Sequence, residues 1–416
     1  MPNRAGTVRK AIFAILLLIL GGMIGYQIGG GKFQTTLSEV KEKVRQVKLT
    51  KTEQPSDFSE VQFAQFWQVW RVLEENYLDP DKIQNDKMVY GAIQGMTSSL
   101  GDPYTVYLPP QEQKRSEEDL QGSFFGVGIQ LGYVDNVLAV MSPLKGTPAE
   151  EAGVKAKDLI IHVKDEKIDK DTQGWSLSEA VDNIRGEKGT KVTLTLLRRD
   201  EKPEPFTVTL ERKEILVPSA EVKFIDQNGK KLAHIQLSRF GERTTAELNG
   251  VIAQIATQSP KVSGIILDMR NNPGGLLDGA VSVSSEFIKN GVVVTQKGKT
   301  TSKDYLANGS GRLADYPVIV VVNGGSASAA EIVAGAIRDR RDAELVGEKT
   351  FGKGTVQDAM RLDNGAGLHV TIARWLLPKG SWIHETGIPV TIEVKDDPKT
   401  TDVDEVIVKA AQELTK

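Results

Sequence analysis

The chain has 416 residues, with 52 Lys and Arg against 55 Asp and Glu, for a formal net charge of −3. Without a large basic excess it lacks the electrostatic footprint of a nucleic-acid binder, so no nucleic-acid partner is expected. It has no cysteine and four histidines; disulfides and thiol catalysis are excluded, and His162, His234, His369 and His384 are too dispersed for a metal spacing such as His-Glu-x-x-His.

From the N-terminus, Ala11 to Gly31 is a run of 21 residues without a charge, preceded by Arg4, Arg9 and Lys10. A helix of that length, at ~1.5 Å per residue, spans a bilayer, and the basic flank keeps its start cytoplasmic. The expectation for residues 1–31 is a cytoplasmic stub and single-pass membrane anchor of the bacterial type, with the rest of the chain extracytoplasmic. A cleaved signal peptide is the competitor, disfavoured because no Ala-x-Ala site closes the run. Gly21, Gly25 and Gly29 have a spacing that lets two such helices approach. The remaining ~385 residues exceed one typical core, so two or three units are expected.

Residues 32–57 read as a polar, partly basic linker, and residues 58–120 as a helical region. Phe63, Phe66, Trp67, Trp70 and Leu73 form a helical apolar stripe there, suited to core packing or to a homodimer contact. Residues 121–213 read as a β-rich module. It opens on Phe124-Phe125-Gly126-Val127-Gly128-Ile129 and contains a helix from Leu177 to Arg185, then strands near Val192 to Arg198 and Phe206 to Glu211. Arg185 ends that helix, where a cation is favoured by the dipole. Residues 214–396 read as a mixed α/β core and 397–416 as a helical tail. Gly264 to Asp268 is a core strand followed by Asn271-Asn272-Pro273-Gly274-Gly275, whose glycines let the backbone approach a ligand.

The most informative stretch follows. Pro317 to Val322 reads as a buried strand, Asn323-Gly324-Gly325 as a turn, and Ala329 to Arg340 as a helix. Ser328, at the strand-to-helix turn, sits where unpaired helix N–H groups point outward and can hold an oxyanion. Lys353 follows 25 positions later. A lysine can take a serine proton if burial lowers its pKa by roughly 3 units from ~10.4. If Thr355 and Val356 continue a strand from Lys353, residues 353, 355 and 357 share a face, and Gln357 can offer its carbonyl to the amine. Glu331 reads as a helix-start or packing carboxylate. His384-Glu385 reads as a solvated strand end.

These pieces together resemble the carboxyl-terminal processing peptidases, or tail-specific proteases. The matching segments run in order: Ser99-Leu100-Gly101-Asp102-Pro103-Tyr104-Thr105 with Leu108-Pro109-Pro110, the β-rich module, Asp268-Met269-Arg270-Asn271-Asn272-Pro273-Gly274-Gly275, Ser326-Ala327-Ser328, and Phe351-Gly352-Lys353-Gly354-Thr355-Val356-Gln357. The resemblance implies a multidomain α/β serine endopeptidase that cuts near the C-terminal tail of protein substrates. Its β-rich module would be a circularly permuted PDZ domain, set before a crotonase-like or ClpP-like peptidase core. It implies Ser328 as nucleophile, Lys353 as base, Gln357 as the residue orienting the base, and the N–H groups of Gly274 and Ala329 as oxyanion hole. Phe125, Gly126, Val127, Gly128 and Ile129 would bind the free C-terminus of a peptide. Arg185 would link the PDZ domain to the active site, and the N-terminal helices would serve dimerisation. No metal or other cofactor is required.

Two rivals stand beside this reading: a Ser-His-Asp triad using His369 or His384 with Asp268, and a PDZ scaffold that binds C-termini without cutting. One departure from the family is Gly387-Ile388-Pro389-Val390-Thr391, a residue short and lacking an aspartate. The expectation is a changed loop that leaves the dyad untouched.

Overall fold

The computed structural model describes residues 63–199, 202–396 and 403–416. The expected membrane anchor and linker lie outside these residues, and no helix among the described residues is long and apolar enough to cross a membrane. The chain divides into two units, one holding the chain up to Gln84 together with Ala359–Leu368, the other Asn85–Asp358 with His369–Lys416.

In the first unit, helix α1 (Ala64–Asn76) carries the aromatic stripe, and none of its residues is buried. Its rings contact one another instead, with Phe66 and Trp67 centroids 5.0 Å apart and edge-on.

The second unit begins with α2 (Asn85–Ser98), β1 (Val106–Leu108) and α3 (Pro110–Gln121), which stops at Gly122 in the left-handed region, φ 70°. A β-rich module follows. Strand β2 (Ser123–Gly126) leads into β3 (Ile129–Val134) and β4 (Val137–Pro143), then the single turn α4 (Pro148–Glu151), β5 (Leu159–Lys164) and β6 (Asp169–Asp171). Next come α5 (Leu177–Ile184), β7 (Lys191–Arg198), β8 (Lys202–Glu211) and β9 (Lys213–Leu216), the last pairing with β2. The sheet runs β3-β4-β5-β7-β8. Alternation in β7 buries Val192, Leu194 and Leu196 against Ile160, Val163 and Ala180, giving the module its own core. Strand β3 is an edge strand among the described residues.

The core domain is built on a six-stranded sheet. Strands β10 (Ala220–Gln227) and β11 (Lys230–Leu237) form an antiparallel hairpin through Asn228-Gly229, both at positive φ as a two-residue type I′ turn requires. After α6 (Thr244–Ala256), β12 (Val262–Asp268) pairs parallel with β11. Helix α7 (Leu277–Phe287) and strands β13 (Val292–Gly298) and β14 (Ser302–Leu306) precede β15 (Val318–Val322), whose five residues are all buried. That is the pattern of a parallel strand covered on both faces. Helix α8 (Ala329–Arg341) crosses over to β16 (Glu344–Gly347), and β17 (Thr355–Arg361) turns into β18 (Gly367–Leu376). The short β19 (Ile392–Glu393) completes the order β10-β11-β12-β15-β16-β19, while β1, β18, β13 and β14 form a second sheet joined by β17. Helices α6, α7 and α8 bury one face of the main sheet. On the other face lies α9 (Glu405–Leu414), through Val406, Ile407, Ala410 and Ala411, and each Val or Ile so buried stabilises by about 1.5–3 kcal/mol.

Candidate active site

Parallel strands β12 and β15 are neighbours, so the loops leaving their C-terminal ends meet, the usual place for a site in such a sheet. Two asparagines fasten them: Asn271 N–H donates to Asn323 Oδ1 at 2.9 Å and Asn323 Nδ2 to Asn271 Oδ1 at 3.0 Å. Ser326 is fully buried, its hydroxyl donating to Met269 O at 2.8 Å and accepting from Asn323 N–H at 3.0 Å. Ser326 is therefore a strut between the loops.

Ser328 is partly exposed and occupies the N-cap of α8 with φ 53° and ψ −114°. A non-glycine residue in that region costs about 1–3 kcal/mol and persists only where its surroundings enforce it. The enforcement comes from Glu331, one turn into the helix and 0 % exposed. Its Oε2 accepts the N–H of Ser328 at 2.8 Å and the N–H of Lys353 at 2.9 Å. Its Oε1 accepts the Thr350 hydroxyl at 2.6 Å and the Gly352 N–H at 2.7 Å. The sequence marks Glu331 as a helix-start carboxylate, which it is; the partners 19 to 22 residues downstream are supplied by the fold.

Lys353 is held below the ordinary lysine pKa by burial, against the opposing pull of the Asp102 and Glu331 carboxylates. Its amine lies over the Tyr104 ring, 4.9 Å from the centroid. Tyr104 is presented by a tight turn in which Asp102 accepts the Tyr104 N–H at 3.0 Å and the Thr105 hydroxyl at 2.7 Å. Burial would raise the Asp102 pKa, but hydrogen bonds from Thr371, Thr105 and Tyr104 lower it on balance, keeping an anion near the amine. The Asp-Pro-Tyr-Thr segment thus belongs to the site, although nothing local to it announces a contact with a residue some 250 positions away. Burial pushes the His369 pKa down as well, helped by the Lys353 charge.

Gln357 lies where the strand period puts it, on the face of Thr355, to which its Nε2 donates at 2.9 Å. That nitrogen also donates to Thr371 at 3.0 Å. No hydrogen bond joins Gln357 to Lys353 among the described residues, so the expected carbonyl contact is not formed in this state.

Gly274 has φ 101°, and a Cβ there would fall 2.8 Å from Ser328 Cβ. Only glycine brings this loop against Ser328. Its N–H donates to Asn272 Oδ1 at 2.9 Å, whereas the Ala329 N–H opens α8 and has no intrahelical acceptor.

One expectation needs correction. His384 is not a solvated strand end: it stacks on Trp382 at 5.1 Å and its Nδ1 accepts the Gly354 N–H at 3.4 Å, forming a wall beside the 352–354 loop. The shortened segment at 387–391 bonds neither Ser328 nor Lys353 among the described residues, and reaches them only through Thr350. Ile388 N–H donates to the Thr350 hydroxyl at 2.7 Å and Thr350 N–H to Ile388 O at 3.2 Å, and Thr350 in turn holds Glu331. The histidine triad is not assembled, since Asp268 is engaged by His234 and Arg270, far from either candidate histidine in the bonding pattern.

In the β-rich module, Phe125 and Gly126 end β2, Val127 and Gly128 form the loop, and Ile129 opens β3. The Val127 side chain is buried in the module core, so this residue offers only backbone. The Val127 and Gly128 carbonyls accept the N–H groups of Ala149 and Leu144. Helix α5 packs beside strand β3, whose outer edge pairs with no strand among the described residues. Arg185 caps α5 and lies 3.8 Å over the Phe124 ring, 3.3 Å from Glu118 of α3. It faces α3 and β2 and has no bond to Ser328 or Lys353. Helix α3 also binds α5 through Arg115, paired with Asp182 and 2.9 Å from Ser178, and the core through Leu120 O, which accepts Glu242 N–H at 2.8 Å.

Comparison with known proteins agrees with this layout. Residues 231–394 match the model of peptidase family S41, residues 126–210 that of the PDZ domain, and residues 18–112 that of the activating protease CtpB N-terminal domain. The chain is similar to the carboxy-terminal processing protease CtpA of Bacillus subtilis (39% identity over 315 residues, 76% of this chain) and spans 65% of that protein's length, just under two thirds. To CtpB of the same organism it is 33% identical over 350 residues, 81% of this chain and 71% of CtpB. A solved structure from Bacteroides fragilis assigned to the S41 proteases shares the fold, with a TM-score of 0.55 at 16% identity, covering 83% of this chain and 96% of that one.

Proposed function

Because this chain belongs to the S41 family of carboxy-terminal processing proteases, we propose that it is a serine endopeptidase that cleaves near the C-terminal tail of protein substrates. The observation that carries the reading is the pairing of a backbone-strained Ser328 with a pKa-depressed Lys353 on one buried carboxylate. A substrate tail would add a strand to the free edge of β3, beside α5, with its carboxylate at the backbone of the 125–129 loop. The Lys353 amine takes the Ser328 proton as Oγ attacks the scissile carbonyl. The Ala329 N–H stabilises the tetrahedral oxyanion, joined by the Gly274 N–H once it leaves Asn272 Oδ1. The ammonium returns its proton to the leaving amine, and the same lysine then activates water for deacylation. Gln357, freed to accept from Lys353, would orient the amine.

The scaffold reading, binding without cutting, draws on the engaged Gly274 N–H. A quenched fluorescent peptide ending in a free apolar residue separates the two: turnover by the wild type, lost in Ser328→Ala, supports the peptidase, and binding without turnover supports the scaffold. The apolar run at 11–31 supports a membrane anchor with the catalytic part extracytoplasmic. Membrane fractionation with and without residues 1–31, and protease accessibility in intact cells, test it. The unburied stripe of α1 supports a homodimer, which light scattering of the wild type and Trp67→Glu would test.

A further inference from the structure

We propose that Glu331 is a positioning residue that aligns nucleophile and base by gripping both of their main-chain N–H groups on one carboxylate. The proposal rests on the Ser328–Lys353 reading and adds to it a group that touches neither substrate nor reacting atoms. Glu331 is wholly buried, and among the described residues no Lys, Arg or His side chain is bonded to it. A buried carboxylate without a cation is retained only where donors and dipoles compensate it. Here three N–H groups, one hydroxyl and the start of α8 do so.

The distribution of donors explains why the residue must be an anion. Each oxygen accepts two hydrogen bonds, and Oε2 alone serves both Ser328 and Lys353. An amide has one acceptor oxygen, so a glutamine turns an NH₂ group toward one of the two pairs of donors. The grip on Ser328 holds its left-handed backbone and with it the direction of the Ala329 N–H. The grip on Lys353 fixes the root of the base side chain. A misplacement of about 1 Å between reacting groups can cost about a hundredfold in rate.

Charge gives the readout that a purely structural role would not move. The ionisable groups facing the Lys353 amine are Glu331 from α8, Asp102 and Tyr104 from the segment before β1, and His369 from β18. Glu331 favours the protonated amine, so removing its charge lowers the Lys353 pKa and moves the acid limb of the rate profile to lower pH.

The test measures pH profiles of kcat and KM for wild type, Glu331→Gln and Glu331→Asp on a free-C-terminus peptide, with thermal unfolding in parallel. Glu331→Gln is expected to lose about a hundredfold in kcat with KM within about threefold, and to shift its acid limb downward. Glu331→Asp keeps the charge, so its acid limb stays at the wild-type position while kcat recovers part of the loss. Unchanged kcat in Glu331→Gln overturns the proposal. So does a loss in both variants that merely tracks the unfolded fraction with no difference between their acid limbs. Should Glu331→Gln fail to fold, Glu331→Asp decides alone, a wild-type kcat overturning the proposal and a folded, slowed enzyme supporting it. Labelling of Ser328 by a fluorophosphonate in the wild type separates failure of this inference from failure of the dyad itself.

Discussion

The two recognition regions of the second unit are built on opposite principles. Around Ser328 everything is fixed: two parallel-strand loops laced by asparagines, a strained backbone, and one buried carboxylate that ties the start of α8 to the 350–353 segment. The proposed peptide groove between β3 and α5 lies at a strand edge unpaired among the described residues, and α5 is fastened to α3 by partly exposed ionic contacts. Buried, fully satisfied polar networks rigidify a site, whereas surface pairs hold loosely and rearrange at little cost. In the proposed reading, chemistry is thus placed on the stiff region, and adaptation to different tails on the soft one.

The stiff region should fail outright when its reacting groups are changed. Ser328→Ala, Lys353→Ala and Lys353→Arg are each expected to lose a thousandfold or more in kcat, on the order seen for unitary catalytic groups, with circular dichroism unchanged. Arginine stays protonated and cannot serve as base. In the wild type, burial sets the Lys353 pKa below the ordinary value. The neutral amine is the active form, so kcat should fall as pH drops through that depressed pKa and stay level above it; a limb at the free-lysine pKa would break the assignment. Ser326→Ala should keep the same pH profile and lower the melting temperature, because it leaves the buried Asn323 N–H without its partner and takes from Met269 O one of its two donors, the other being the Asn272 N–H. That loss is worth about 1–3 kcal/mol.

Next in size is Gly274→Ala. The new Cβ would lie 2.8 Å from Ser328 Cβ and 2.9 Å from Ala327 O, at φ 101°. Displacing the loop removes one oxyanion donor, so kcat should fall about a hundredfold while affinity for a free-C-terminus peptide is kept. A parallel loss of peptide affinity would mean that the two regions are not separable.

The soft region should show smaller, graded effects. A peptide with an apolar free C-terminus is expected to bind Ser328→Ala protein about tenfold more tightly than its amidated form, since one charge-assisted hydrogen bond contributes roughly 1.5–3 kcal/mol. Calorimetric titration of both peptides measures this. Equal affinity would assign the groove to internal sequence and remove its tail specificity.

How much was legible in the sequence follows the same division. Strand β15 and helix α8 fall within one residue of the expected Pro317–Val322 and Ala329–Arg340, because a five-residue apolar strand and a helix buried from Ala329 to Ile337 are written in local pattern. Helix α5 likewise matches Leu177–Arg185 to one residue. The strut role of Ser326, the fourfold grip of Glu331 and the placement of Tyr104 over Lys353 were not legible. Each depends on contacts between segments far apart in the chain, and a glutamate after a helix start looks the same whether it caps one N–H or three. For His384 the missing contact is the distant one: the stack on Trp382 lies within its own segment, but its Nδ1 meets the Gly354 N–H only when the 381–388 segment folds back on the 352–354 loop.

The smallest expected effect lies at the contact between the two regions, Arg185 with Glu118. The pair is 3.3 Å apart and partly exposed, so its direct stabilisation is below about 1 kcal/mol. Its position on α3 matters more, since α3 contacts α5 on one side and the Glu242 loop of the core on the other. A double-mutant cycle of Arg185→Ala and Glu118→Ala, read in kcat/KM, should give a coupling of about two- to fivefold, with peptide affinity of the groove altered by less than twofold. Arg185→Lys should behave like Arg185→Ala, because an ammonium keeps the charge but loses the planar stacking on Phe124. A simple helix cap predicts otherwise. Lysine would then be neutral, and additive losses in melting temperature without change in kcat/KM would confine Arg185 to the end of α5 and leave the two regions uncoupled.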